Sequence, residues 1–133
     1  MAQQTAVPLT GDDLGVDDVW QVAVAGTPAA LSDAAREKMR VARDVVVAAA
    51  HGDSEHTYGI NTGFGRFVNQ TIPEELTQEL QLRLLRSHAC GVGEPYPDEI
   101  VRAAMLLRAN ALAKGCSGAR VETVELLVEC LNR

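Results

Sequence analysis

The fold class is decided by residues 32–52, which read SDAAREKMRVARDVVVAAAHG. Apolar side chains recur there every three or four residues, at Ala35, Met39, Ala42, Val46 and Ala49. This spacing places them on one face of an α-helix. Ser32 can accept a hydrogen bond at the start of such a helix, and Gly52 can end it. The stretch therefore predicts an amphipathic helix over residues 32–51.

Similar patterns predict helices on either side of this one. The five predicted helices cover residues 16–25, 32–51, 72–88, 97–114 and 119–132, with loops at 52–71 and 89–96. The first ten residues are expected to be extended or loosely ordered. No alternation of apolar and polar residues runs longer than a few positions, which argues against strands. The sequence thus predicts a mainly α fold, as a single domain or fragment over residues 1–133.

The predicted helices carry apolar stripes that should pack. Thr71 and Glu74 have the spacing of a capping box, with Pro73 in the first turn. The stripes comprise Leu76, Leu80 and Leu84, then Ile100, Ala104, Leu107 and Ala111, and finally Val121, Val124, Val128 and Leu131. Because no helix follows the last stripe, we expect the chain to self-associate or to rearrange its last helix so that this stripe becomes buried.

Composition excludes several classes of function. The chain has 12 Lys and Arg against 18 Asp and Glu, a net charge of −6, and no basic cluster that would favour nucleic acid. The longest apolar run, VVVAAA at 45–50, is too short to span a bilayer. The sequence therefore predicts neither a nucleic-acid nor a membrane partner.

The cysteines and histidines do not suggest a metal site or a disulfide framework. Cys90, Cys116 and Cys130 are odd in number and lack paired spacing, which favours reduced thiols and a cytoplasmic protein. His51, His56 and His88 share no ligand spacing, so no metal is expected. The amino terminus also lacks the pattern of a secretory signal peptide.

The loop at 58–67, YGINTGFGRF, contains three glycines within eight residues beside a tyrosine. A phenol becomes a base only where nearby donors or positive charge stabilise its anion. Backbone N–H groups of a glycine-rich turn can supply such donors, and glycines allow close approach to a ligand. Tyr58 is therefore either an acid/base on a loop that lines a pocket or a tyrosine that anchors a surface turn.

The second glycine-rich loop follows His88, at the end of the third long helix. An imidazole there can complement the carboxyl end of the helix. It can equally hold a substrate, since it offers one N–H and one acceptor near neutral pH. Spacing leaves both roles open.

Three segments in order resemble a known family. They read YGINTGFG (58–65), LLRSHACGVGEP (84–95) and LRANALAKGCSGAR (107–120). Together they are similar to the amino-terminal part of the histidine and aromatic amino acid ammonia-lyases, and the helix at 32–50 lies where that family has one. The resemblance covers most of residues 58–120.

The resemblance implies elimination of ammonia from an α-amino acid. The family's electrophile is a methylidene-imidazolone (MIO) group made from an internal Ala-Ser-Gly, with no added cofactor. Tyr58 maps onto the base that removes a β-proton, and His88 onto a histidine near the substrate. The resemblance assigns the rest of the loop to substrate binding, namely Asn61, Thr62, Gly63, Phe64 and Gly65. It also implies a homo-oligomer, and a lid that closes over the substrate.

These 133 residues contain no Ala-Ser-Gly. We therefore expect the chain to be inactive alone, as an amino-terminal portion of a lyase. A proteolytic product, a recombinant piece, a split subunit and a natural short relative all stay open. Ser87–His88 favours histidine as substrate. The alternative is the same segment of an aromatic lyase or of a tyrosine aminomutase, and tyrosine aminomutases can carry the same pair. A third hypothesis is a non-catalytic helical interaction module.

Overall fold

A computed structural model describes residues 5–51 and 57–133. It contains five α-helices and two short strands, which confirms the mainly α fold. The chain forms two compact units. The first, here called the framework unit, comprises residues 1–44 and 95–133, and the second, the loop unit, comprises residues 45–94.

The elements of the described chain follow in a simple order. They are β1 (Val7–Leu9), α1 (Val16–Ala23), β2 (Ala29–Leu31), α2 (Asp33–His51), α3 (Glu74–His88), α4 (Asp98–Ala113) and α5 (Val121–Asn132). A short 3₁₀ turn at Gly65–Phe67 lies between α2 and α3. None of the helices in the described ranges is both long and apolar enough to cross a membrane.

The strand pair was not predicted. β1 and β2 are parallel, with Val7 opposite Ala29 and Leu9 opposite Leu31. Each strand has three residues, too few for a period of two to stand out, and Pro8 lies in the middle of β1. The Asn132 side chain closes the outer side of β2, since its Oδ1 accepts from the Ala29 N–H at 2.9 Å and its Nδ2 donates to the Ala29 carbonyl at 2.8 Å.

The helix starts agree only in part with the sequence pattern. Ser32 caps α2 as expected, because its Oγ accepts the Ala35 N–H at 3.2 Å. The capping box from Thr71 is wrong, since α3 begins at Glu74 after an extended Pro73 with ψ 144°. Thr71 instead pairs with Thr62 in an isolated antiparallel bridge, which holds its backbone out of the helix.

The core lies in the framework unit. Its buried members are Leu9, Val22, Ala29, Leu31, Ala35, Met39, Leu106, Ala109, Ala113, Val121, Val124, Val128 and Leu131. The predicted stripe of α5 is thus covered by the chain's own helices and strands. Because α5 packs against α4 and β2, self-association is not needed to cover this stripe.

Helix α4 packs with the face opposite to the one predicted. Ile100 and Leu107 are each 52% exposed, whereas Leu106, Ala109 and Ala113 are buried. The helix is apolar on most of its circumference, so periodicity alone could not choose the packed face. Arg102 fixes the orientation, since its guanidinium donates to the carbonyl oxygens of Leu131 at 2.8 Å and Val22 at 3.0 Å.

Candidate functional site

The glycine-rich loop is held in shape by its own hydrogen bonds. The Asn61 N–H donates to the Thr57 carbonyl at 3.2 Å, and the Asn61 Oδ1 accepts from the Thr57 N–H at 2.7 Å. The Gly63 N–H donates to the Gln70 carbonyl at 3.1 Å and closes the far end of the loop. These contacts make a compact loop between α2 and α3.

Three of the predicted substrate-binding residues stabilise the conformation of the loop. Asn61 bonds Thr57, as above. Thr62 is 1% exposed, and its Oγ1 donates to the Gly63 carbonyl at 3.1 Å. A Cβ on Gly63 would lie 2.6 Å from the Cβ of Phe67, so only glycine fits there. Their geometry accounts for the shape of the loop, and contact with a substrate stays a prediction.

The other predicted residues border an open hollow in the loop unit. The hollow has a volume of about 460 Å³ and is lined by Tyr58, Phe64, Leu84, Leu85 and His88. Pockets of this size commonly hold small molecules. Gly65, the remaining predicted residue, is exposed and opens the 3₁₀ turn next to Phe64.

Tyr58 and Phe64 form one wall of the hollow. Their rings meet edge to face, with centroids 5.7 Å apart and planes at 79°. Such pairs are favourable and orient both rings. Tyr58 stays 61% exposed, so its ring is placed by a neighbour without being enclosed. The two alternatives for this tyrosine therefore coincide in part, because the ring packs on the loop and borders a hollow.

His88 is the last residue of α3 and forms another wall. Its Nδ1 lies 2.9 Å from the Leu84 carbonyl oxygen and 2.9 Å from the Ser87 Oγ. Ser87 Oγ in turn donates to the Leu84 carbonyl at 2.8 Å. The helix-end role and a place beside the hollow are thus compatible for this histidine.

Leu84 and Leu85 were not predicted as site residues. Leu84 was assigned to a packing stripe, yet it lies four residues before His88 and so on the same helical face. That spacing was the available signal. Together with Tyr58 and His88 these leucines give a largely apolar hollow with a phenol and an imidazole, a combination suited to a small amphipathic ligand.

Metal and disulfide chemistry find no support in the described ranges. No group of three or more His, Cys, Asp or Glu side chains there could hold a metal ion. Cys90, Cys116 and Cys130 are free and exposed. His56 lies outside the described residues.

Known proteins resemble the chain along nearly its whole length. The family model for aromatic amino acid lyases matches residues 14–133. Histidine ammonia-lyase from Gloeobacter violaceus is 52% identical over 94% of the chain, and tyrosine 2,3-aminomutase from Chondromyces crocatus is 46% identical over 94%. Among solved structures, ergothionase from Treponema denticola is 34% identical with a TM-score of 0.89 over 96% of the chain.

The matched region is a limited part of those proteins. The chain spans 24% of the Gloeobacter enzyme, 23% of the aminomutase and 26% of the ergothionase chain. It therefore spans about a quarter of the length of the relatives that it matches. On the family match and the shared fold, the chain belongs to the aromatic amino acid lyase family.

Proposed function

We propose that residues 1–133 form the part of an amino acid ammonia-lyase that supplies the base, with L-histidine as substrate and urocanate as product. The observation that carries this proposal is that Tyr58 and His88, from segments thirty residues apart, border one hollow. The 52% identity to a histidine ammonia-lyase supports the choice of histidine.

In this proposal Tyr58 accepts the proton that leaves the β-carbon of the substrate. A β-proton is weakly acidic, so the base must be held close to it and away from water. Phe64 supports the orientation through its edge-to-face contact with the Tyr58 ring. His88 holds the substrate side chain at the opposite wall, and the loop closes over the ligand as a lid.

The electrophile that the family uses does not fit within these residues. It is made from Ala-Ser-Gly, which does not occur in the sequence. Its contribution is to make the amino group a better leaving group, and another stretch of polypeptide must provide it. The roles proposed for Tyr58 and His88 concern proton transfer and binding only.

A second candidate is an aminomutase acting on tyrosine. The aminomutase from Chondromyces crocatus is 46% identical to this chain, close to the values for several histidine ammonia-lyases. The base and the binding wall would be the same in both reactions. Product analysis with histidine, tyrosine and phenylalanine distinguishes the candidates.

A chimera tests the proposal directly. Residues 1–133 replace the matching quarter of the Gloeobacter enzyme, which supplies the rest of a lyase. The chimera should convert histidine to urocanate, followed by ultraviolet absorbance. Tyr58→Phe in the chimera should lower kcat about 10²- to 10⁴-fold, the usual loss for a general base.

Tyr96→Phe is the matched control. Tyr96 is 74% exposed and lies outside the loop unit, so its loss should leave kcat unchanged. A folded chimera that shows no turnover with any of the three amino acids would favour the non-catalytic interaction module. Unchanged kcat in Tyr58→Phe would remove Tyr58 from the mechanism.

The histidine role has its own pair of variants. His88→Ala should raise KM for histidine as well as lower kcat, because a binding contact is lost. His51→Ala is the control, since His51 also ends a helix but does not border the hollow. Equal kinetics for the two variants would return His88 to a purely helix-end role.

The purified 133-residue polypeptide alone should form no urocanate above a blank, because it contains no Ala-Ser-Gly. We further propose a cytoplasmic homo-oligomer. The free thiols and the exposed apolar face of α4, formed by Ile100, Ala104, Leu107 and Ala111, support this. Sedimentation at several concentrations, with Leu107→Asp for comparison, checks the association.

A further inference from the structure

Ser87, His88 and the Leu84 carbonyl form a closed triangle of contacts at the end of α3. The three distances are 2.8 Å from Ser87 Oγ to Leu84 O, 2.9 Å from Ser87 Oγ to His88 Nδ1, and 2.9 Å from His88 Nδ1 to Leu84 O. Each is within hydrogen-bonding range, and the Ser87 hydroxyl and the imidazole ring are the donors available to the three contacts.

The position of the protons follows from the Leu84 carbonyl, which can only accept. If Nδ1 lacked a proton, its lone pair would point at the lone pairs of that oxygen from 2.9 Å, which is repulsive. If Nδ1 carries the proton, it donates to the carbonyl and to Ser87 Oγ. The Ser87 hydroxyl then donates to the same carbonyl, and every contact is satisfied.

A neutral imidazole with a proton on Nδ1 has a lone pair on Nε2. Within the described residues, the structure shows no hydrogen bond to His88 Nε2. His88 is exposed and borders the hollow that also contacts Tyr58, so this acceptor is available to a ligand there.

We propose that Ser87 is a positioning residue that works with the Leu84 carbonyl to keep the proton of neutral His88 on Nδ1, so that Nε2 accepts a hydrogen bond from the side chain of a bound amino acid. The statement that Nε2 accepts a hydrogen bond from a substrate rests on the proposed function. Ser87 acts through His88 and does not itself touch the substrate.

The tautomer can be measured without any turnover. The 133-residue protein is labelled with ¹⁵N-histidine and studied by NMR at a pH where the imidazole is neutral. His88 should then show a protonated Nδ1 and an unprotonated Nε2. His88→Gln identifies the signals among the three histidines. A wild-type ring protonated on Nε2 overturns the proposal.

Two substitutions isolate the hydroxyl. Ser87→Ala should raise the fraction of the Nε2-protonated form, while Ser87→Thr should keep the wild-type pattern. Alanine favours helix, so the end of α3 should persist. Thr77→Ala is the matched control, because the Thr77 hydroxyl also bonds a backbone carbonyl of this helix region, that of Pro73 at 3.3 Å, without touching His88. An equal tautomer ratio in Ser87→Ala and wild type overturns the role of Ser87.

The active chimera tests the acceptor. Ser87→Ala should raise KM for histidine about 2- to 10-fold with less change in kcat, as expected for one neutral hydrogen bond made in both ground and transition states. Ser87→Thr should restore KM. Unchanged KM, with the tautomer shifted, overturns the acceptor role. A chimera without activity contradicts the proposed function and leaves the tautomer result standing.

Discussion

Helices α3 and α5 both carry an apolar stripe, but only the stripe of α5 is buried. Helix α5 buries Val121, Val124, Val128 and Leu131 in the framework core. Helix α3 contains five leucines, yet none of its described side chains is buried. The presence of an apolar stripe alone therefore does not decide burial.

The same contrast separates the two units. All the buried apolar residues of the described chain belong to the framework unit, and in the loop unit only Thr62 and Gly63 are buried. The loop unit is held chiefly by local hydrogen bonds, and it contains the candidate site. Stability and candidate chemistry are thus assigned to different parts of the chain, as is common for loops that carry function.

Hydrogen exchange should show the largest difference between the two units. Amides in the middle of α5 should exchange roughly 100-fold or more slowly than those in the middle of α3, because opening α5 exposes the core. Mass spectrometry on peptides from the two helices gives the rates. Equal protection would show that the units open together.

A pair of neighbouring leucines sharpens the contrast within α4. Leu106→Ala should lower the free energy of unfolding by about 2–5 kcal/mol, because Leu106 is fully buried. Leu107→Ala should change it by about 0.5 kcal/mol or less, since that side chain is half exposed. Urea denaturation at a concentration where the chain is monomeric measures both, and the reverse order would restore the originally predicted face.

Two glycines with the same φ angle separate the cost of steric crowding from the cost of a left-handed backbone conformation. Gly26 and Gly115 both have φ +74°, but a Cβ on Gly26 meets nothing, whereas one on Gly115 would lie 2.8 Å from the Lys38 carbonyl carbon. Gly26→Ala should cost about 1–2 kcal/mol for the left-handed conformation. Gly115→Ala should cost about 1–3 kcal/mol more because of crowding. Equal losses in thermal unfolding would exclude the close contact.

The smallest expected effect concerns Asp12 in the framework unit. A hydrogen bond from Lys38, at 3.1 Å, and its positive charge hold the pKa of Asp12 below its usual range. Because the pKa of this carboxyl group is lower in the folded than in the unfolded protein, its ionisation stabilises the fold above the unfolded pKa. That stabilisation is lost as the pH falls below about 4 and through the folded pKa.

Asp12→Asn should therefore make the loss of stability between neutral pH and pH 3 slightly smaller. The effect is small because the carboxylate is in contact with water. Asp13→Asn, at the neighbouring position, serves as the control, and urea unfolding at both pH values measures the difference. An identical decrease in the wild type and Asp12→Asn would show that the ion pair contributes nothing.

Much of the fold could be predicted from periodicity and caps. The stripe at Ala35 and Met39, the cap at Ser32 and the stripe of α5 all follow from local spacing. The packed face of α4 could not be predicted, because a helix with apolar residues on most sides is oriented by its neighbours. The strand pair was missed because its partners lie over twenty residues apart and each is only three residues long.

The candidate site was predicted less completely than the fold. Spacing alone left Tyr58 and His88 undecided, and the resemblance to the lyases brought them together as a pair. The internal roles of Asn61, Thr62 and Gly63 could not be read from the sequence, because they depend on which way the side chains turn within the loop. The triangle at Ser87 likewise depends on rotamers, which no sequence pattern specifies.

The contact between Asn132 and Ala29 has a consequence for biosynthesis. The two residues are 103 positions apart, so the ribosome makes β2 long before the side chain that covers its outer side. At about 5–20 residues per second, that interval is roughly 5–20 s. Throughout it the nascent chain carries an unprotected strand, a known starting point for pairing with other chains. The loop unit is by then fully synthesised, so the region that bears the candidate site leaves the ribosome before the framework unit can close.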